Sequence, residues 1–488
     1  MLRHPLGRWV DPAAAWWALL AEEADSFWLD SARGTGWSYL GAGSRVLGGS
    51  DILEQLRADI AGHGGSDEGV RAGGVPVAGP EGGVTRGDAP ASGVPASGAP
   101  ASDAPSGDVM PGDVMPGDLP AATTPPTGGF ALGWVGWLGY ELRGSTMQAP
   151  VARTSRYPDA AMMYADRALA FDHDRGEVWL IALGGAWDGA LADWRDATLT
   201  ALESAEAPPP ARNPPASASW HSSDDDYLRR IADCQAAIRD GDAYQLCLTT
   251  EASVPGSFDP FGSYLALRAS SPAHYGALLR VGGVALLSAS PEQFLAVSPG
   301  GVVESRPIKG TRARGSTPEA DAALRAELLA SDKERAENLM IVDLMRNDIG
   351  RVSELGSVVV PELFAVESYE HVHQLVSTVR GRLAPGLDAL DAVAACFPAG
   401  SMTGAPKRSA TTILDALEGR ARGIYSGAFG YFGLDGRVDL AMVIRSIVLD
   451  ADGATVGAGG GITALSVPLE ELAEVRLKAA ALLAVLGA

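Results

Sequence analysis

The run DKERAENLMIVDLMR, residues 332–346, is apolar at helical spacing, with Ala336, Leu339, Met340 and Leu344 three or four positions apart. It predicts a helix that carries Glu334 and Glu337 three apart on a neighbouring face. Residues 468–486 predict a second helix, with Pro468 in its first turn and Gly487 just past its last periodic residue. There Glu471, Glu474 and Lys478 fall at i, i+3 and i+7 and stack on one side. A glutamate pair at this spacing is usually a solvated acidic face. One pair on each of two facing helices has another use, because a hard divalent ion such as Mg²⁺ binds through one or two carboxylates, keeps several waters and clamps an anionic ligand.

Upstream, residues 306–311 read Arg-Pro-Ile-Lys-Gly-Thr. Of the 38 lysines and arginines only four are lysines, at 309, 333, 407 and 478. Where arginine serves for surface charge, a retained lysine suits a task arginine cannot perform, that of a compact ammonium able to lose its proton and act as a nucleophile. Alone, Lys309 reads either way, as that nucleophile or as a leftover surface cation.

The 488 residues, 46% hydrophobic, suffice for one large or two intergrown domains. A net charge of −22 argues against nucleic acid, which needs basic stripes. An anionic ligand would need local cations or a metal, since the global field is screened within about 8 Å at physiological salt. Three cysteines make no disulfide framework and suit a reducing cytoplasm. The N-terminus lacks an uninterrupted apolar run, so neither secretion nor a membrane span is expected.

Residues 64–127 are rich in Gly, Pro, Ala, Ser and Asp, with near-repeats such as GDVMPGDVMPGD, and read as a disordered insertion. Residues 14–60 carry helix-like and strand-like runs, and 129–185 alternate aromatic and small residues as strands do. A Pro-rich linker spans 207–219. Two glycine-rich stretches fall short of nucleotide loops. Residues 400–407, GSMTGAPK, have the spacing GxxxGxxK with Pro406 where a helix should open, and Ile462 takes the last glycine's place in 457–462. Both can still offer backbone N–H groups to a carboxylate. His371 and His373 favour a structural role, with no cysteine or third histidine nearby. Cys234, Cys247 and Cys396 lack the Gly-flanked elbow of a glutamine-hydrolysing site, so ammonia from glutamine would have to come from elsewhere.

Together these segments resemble the chorismate-utilising enzymes, the anthranilate, aminodeoxychorismate, isochorismate and salicylate synthases. The matching runs are GDAYQLCLT (241–249), SPEQFL (290–295), RPIKGT, AENLMIVDLMRNDIGRV (336–352), FPAGSMTGAPK (397–407), GIYSGAFGY (423–431), VIRS (443–446), GAGGG (457–461) and the final ExxExxxK. The N-terminal part is similar more loosely, through FWLDS at 27–31 and GWVGWLGYE. The resemblance implies an α+β fold of two large stacked antiparallel sheets flanked by helices. It divides the chain into an N-terminal region, 1–215, and a chorismate-binding catalytic domain, 220–488.

The resemblance also assigns roles. Members that add water to the ring carry a lysine base at Gln245, and anthranilate synthases carry a small residue at Lys309. Lysine at 309 is similar to the aminodeoxychorismate synthase large subunits, which serve 4-aminobenzoate and folate synthesis with Mg²⁺ and take ammonia from a glutaminase subunit. Anthranilate synthesis is the nearest alternative, and a nucleotide-binding regulatory protein the alternative of another class. In the first reading Lys309 adds to C2 of chorismate with loss of the C4 hydroxyl, and ammonia then adds at C4 and expels it. Only about one lysine in 2,500 is neutral at pH 7 at the ordinary pKa, so its setting must favour the free amine. Glu292 is the implied acid and must stay protonated near neutral pH. Glu337 and Glu474 would bind Mg²⁺ directly, and Glu334 and Glu471 would hold its waters. Tyr425, Arg445 and Lys478 would grip the enolpyruvyl side. Gln245, Gly310, Thr311, Ser401 and the amides of Gly459, Gly460 and Gly461 would complete the pocket. Two departures stand out. Gln374 occupies a position where the family usually has histidine, and FWLDS differs from the Leu-Leu-Glu-Ser pattern of tryptophan-inhibited members, which predicts weak or no tryptophan feedback.

Overall fold

The alternation at 129–185 becomes four strands, Gly133–Leu138, Ala160–Ala165, Arg167–Asp172 and Glu177–Ala182, divided between two antiparallel sheets. The structure, a computed structural model, describes residues 1–64, 129–210, 213–369 and 372–488. The expected disordered insertion lies outside them beyond its first residue, as does His371.

The first sheet has 12 strands and runs from Leu2–Pro5 through Glu177–Ala182, Arg167–Asp172, Trp37–Ala42 and Ser26–Asp30. It continues through Tyr275–Val281, Val284–Ser290, Ser446–Asp450, Gly453–Ile462 and Gln245–Pro255. The second has 10 strands, and its order includes Ile308–Ala313, Val372–Arg382, Val302–Ser305, Gln293–Val297, Val438–Met442, Ala428–Gly433 and Gly133–Leu138. Strands from either side of residue 215 therefore pair within both sheets. Trp28 lies opposite Leu278, and Trp137 opposite Phe429. The described residues up to His63 and from Gly129 onward form one compact unit.

Strand periodicity gives each sheet two apolar faces. Phe27, Leu279 and Leu286 of the first meet Val135, Phe429 and Ala441 of the second in the core between the sheets. The outer face of the first sheet is covered by helices bearing Trp16, Ile231, Phe261, Leu414 and Val475. That of the second is covered by helices bearing Ile52, Ile341, Met345 and Val393. The described residues thus form the expected α+β stack, and no helix among them is long and apolar enough to cross a membrane.

Both decisive helices form, as Asp332–Gly350 and Pro468–Val485. Ser331 caps the first through the Glu334 amide, and acidic side chains in the first turns of both complement the helix dipole. The buried face of the first differs from the expected one. It consists of Asn338, Ile341, Val342, Met345, Asp348 and Ile349, while Leu339 is 50% exposed. The helix has two adjacent apolar stripes, which periodicity alone cannot rank. Asn338 decides between them, accepting from Ser377 Oγ at 2.6 Å and donating to the Leu375 carbonyl at 3.4 Å on strand Val372–Arg382. Met340 and Leu344 instead line a groove of about 770 Å³ with Phe397 and Pro406.

Because the N-terminal strands complete the sheet that carries the C-terminal ones, damage to them should destabilise the whole unit. Trp28→Ala removes a fully buried ring packed edge-on against Tyr264 and should cost about 3–5 kcal/mol. Urea unfolding followed by circular dichroism and by tryptophan fluorescence should show one shifted transition. Two separate transitions would mean the halves fold apart.

Candidate active site

Two β-bulges set the site. Ile308 pairs with Val376 but Thr311 with Gln374, so one extra residue is inserted at Lys309–Gly310. Such a bulge bends the strand and re-aims its side chains. Gly310 meets the left-handed backbone this requires, at φ +88°, and a Cβ there would lie 3.0 Å from Glu334 Oε2. A second irregularity separates Gln293, opposite Ala441, from Leu295, opposite Leu440, and Glu292 stands immediately before it. Lys309 and Glu292 are thereby brought within electrostatic reach of each other.

Glu292 is 8% exposed. Burial pushes its carboxyl above the ordinary range, against the pull of Lys309, the Ser401 hydroxyl, the Ile308 amide and Lys478. Ser401, on the short turn Gly400–Met402, is thus a partner of the candidate acid. The raised value is what a proton donor near neutral pH requires.

The glycine-rich run is a strand interior, Gly453–Ile462, rather than a phosphate loop. It pairs with Gln245–Pro255 throughout, but beyond Val456 it has lost its other neighbour, Ser446–Asp450. Gly457 and Gly461 are required by close approach. A Cβ at 457 would stand 2.1 Å from the Tyr425 ring and one at 461 would stand 2.3 Å from Gln245 Nε2. Gln245 is 1% exposed, and its Oε1 has no hydrogen-bond partner among the described residues. Lys478 Nζ lies 3.0 Å from the Gly459 carbonyl and 2.7 Å from Glu474 Oε1. Arg445 has the left-handed φ of +51°. Enclosure by protein lowers its pKa, against the attraction of Tyr425 and Glu474, yet it stays solvent-accessible, as a side chain lining a cleft would.

The four helix glutamates face one another across the cleft. Burial raises Glu337, Lys309 opposes that, and Glu334 and Glu471 add like-charge repulsion. Burial also raises Glu471, against a 2.7 Å hydrogen bond from Ser466. Burial works against the Glu474 carboxylate too, but Lys478, with Lys333 and Lys309 farther off, holds it below the ordinary range. Glu334 takes Arg312 at 3.3 Å. Among the described residues no three potential ligands gather as a preformed metal cluster. A Mg²⁺ site of the one-or-two-carboxylate kind needs none. Glu337 has no hydrogen bond or ion pair among the described residues, and it lies among other carboxylates, so a divalent cation fits the donor set.

Of the expected residues, Glu292, Lys309, Lys478, Glu337, Glu471 and Glu474 form a chain of groups within electrostatic reach of one another. Thr311 is exposed on the strand edge, opposite Gln374. His373 is structural, bonded to Asp321 at 2.9 Å and Ser368 at 2.8 Å. Lys407 is held by Asp348 at 2.5 Å and by the Cys396 carbonyl, so it is not free for a phosphate. Lys333 was not singled out as a site residue, yet it acts on Glu337, Glu471 and Glu474. Its signal was available in the scarcity of lysine, since three of the four lysines border this cleft. The three cysteines are free and buried.

A cleft of this kind, with a buried acid, a bulge-borne lysine and facing acidic helices between two stacked sheets, defines a class. Residues 115–484 match the chorismate binding enzyme family, and the chain belongs to it. It is 43% identical to an aminodeoxychorismate synthase of Streptomyces pristinaespiralis, over 98% of this chain and 64% of that protein. It is 48% identical to one of Streptomyces griseus, over 73% of this chain and 50% of that protein. The chain thus spans between half and two thirds of the length of these relatives. Anthranilate synthase component I from Streptococcus pneumoniae superposes with a TM-score of 0.64 at 31% identity, covering 72% of this chain and 81% of that one.

The raised Glu292 pKa has a consequence for stability. Its proton is retained in the folded chain above the 4.5 at which the unfolded chain releases it, so its contribution is full below that pH and is lost as pH rises through the folded value. Glu292→Gln does not titrate. Without Mg²⁺, its urea midpoint relative to the parent chain should rise between about pH 4 and about pH 8. A difference that stays flat or falls would place the acid in a solvated setting.

Proposed function

We propose that this chain aminates chorismate at C4 to 4-amino-4-deoxychorismate, with Lys309 as nucleophile, Glu292 as proton donor, and ammonia delivered by a glutaminase subunit. The observation that carries this reading is Lys309 itself, set at a bulge within electrostatic reach of the buried Glu292. Nζ forms a bond to C2, the ring double bonds shift, and the C4–oxygen bond breaks. The departing hydroxide takes the Glu292 proton and leaves as water. Ammonia then bonds to C4, the double bonds return, and the C2–Nζ bond breaks. Gln245 can hold the ring through its amide but cannot serve as a base that activates water. Tyr425, Arg445 and Lys478 hold the enolpyruvyl side, and the strand edge at Gly459 to Gly461 supports it.

Glu337 and Glu474 are the residues that would hold Mg²⁺, with Glu334 and Glu471 behind its waters. When bound, the ion supplies positive charge to the ring carboxylate. Arg445, Lys478 and Lys309 supply the rest, and this is how a chain of net charge −22 admits a dianion. Anthranilate synthesis remains the second reading, favoured by the structural likeness to an anthranilate synthase.

Incubation with chorismate, Mg²⁺ and an ammonium salt separates the two. The proposed reaction consumes chorismate without releasing pyruvate until a separate lyase is added. Stoichiometric pyruvate with a fluorescent product, in the absence of lyase, would establish anthranilate formation instead. Glu337→Gln should weaken the Mg²⁺ response by more than the roughly 10–100-fold that loss of an outer-shell partner costs, with an unchanged circular dichroism spectrum. An unaltered Mg²⁺ titration would move the metal elsewhere.

A further inference from the structure

We infer that Arg422, which touches none of the proposed reacting atoms, is the positioning residue that fixes three substrate-binding segments relative to one another. Its guanidinium makes five hydrogen bonds. Nε and Nη2 bind the two Glu418 oxygens at 2.8 and 2.7 Å. Nη2 also reaches the Cys247 carbonyl at 2.9 Å. Nη1 reaches the Met402 carbonyl at 2.6 Å and Ser426 Oγ at 3.3 Å. Each recipient outside Glu418 neighbours a residue of the site. Cys247 lies two along the strand from Gln245 and so faces the same way, Met402 follows Ser401, and Ser426 follows Tyr425. The same group thus locates the ring contact, the partner of the acid and the enolpyruvyl contact.

Only a planar fork does this. Lysine presents a point charge and three donors, and cannot span Glu418 and three acceptors on different segments. The support continues behind it. Glu141 accepts the amides of Arg422 and Gly423, both at 2.9 Å, and Glu418 accepts the Thr249 amide at 2.8 Å. Arg422 also lies over the Tyr140 ring, 4.3 Å from its centre. A purely structural ion pair would fix stability alone. This one, by its choice of acceptors, fixes the spacing of the site.

The inference rests on the chain acting on chorismate, so the readout is chorismate consumption, whatever the product. If the parent chain consumes none, the functional reading fails and this inference falls with it. If it does, Arg422→Lys should raise KM for chorismate about tenfold or more and Ser426→Ala about threefold, with smaller changes in kcat. Free guanidinium should partly restore KM to Arg422→Ala but do nothing for Ser426→Ala. Should the Arg422 variants not fold, Ser426→Ala, which removes one arm of the fork, carries the test by itself. Folded variants with the parent KM, or a rise in KM that tracks the fall in melting temperature in strict proportion across the set, would overturn the positioning role.

Discussion

A buried ion pair, Arg422 with Glu418, ties a strand of the first sheet to the turn at Met402 and the loop at Ser426. The residues are 3% and 2% exposed. Withdrawing two such charges from water costs several kcal/mol for each, and their attraction with good hydrogen bonds roughly offsets that, so apolar replacements of like volume are often no less stable. What an apolar pair cannot supply is direction. The fork and the carboxylate between them satisfy carbonyls and amides on the strand, the turn and the loop that enclose the cleft, and leave little freedom for those segments to slide.

The chemistry needs a second kind of constraint, which the bulges provide. A regular strand would send Lys309 and its neighbours alternately to the two faces of the sheet. An extra residue beside a glycine at positive φ breaks that alternation and turns the lysine toward Glu292. The field of the cleft then follows from local pairs. Lys309, Lys333, Lys478 and Arg445 stand among the glutamates, where burial raises Glu292, Glu337 and Glu471 while Lys478 holds Glu474 below the ordinary range. A global charge of −22 has little reach into such a site through about 8 Å of screening.

Much of this was legible in the chain. The two acidic helices were named from spacing and form as Asp332–Gly350 and Pro468–Val485, and the lysine at 309 and the acid at 292, named from family resemblance, lie within electrostatic reach of each other. Other features were hidden for physical reasons. Helix 332–350 carries two apolar stripes, and only the tertiary contact of Asn338 with Ser377 selects one. Bulges depend on a pairing register that a single strand does not encode. Arg422 looks like any arginine until the strand at Cys247 and the turn at Met402, 175 and 20 positions away, close around it. Nor does the order of residues announce that a block of strands before 215 joins a block after 220 edge to edge within each sheet.

The role of Lys309 is open to one decisive measurement. The chain is mixed with chorismate and Mg²⁺ without ammonia, quenched, digested and analysed by mass spectrometry. The account predicts that the peptide containing Lys309 gains the mass of chorismate less one water, that the adduct is discharged by ammonium, and that Lys309→Ala shows neither the adduct nor appreciable amination. An unmodified Lys309 peptide, together with undiminished amination by Lys309→Ala, would contradict it and leave ammonia to attack the ring directly.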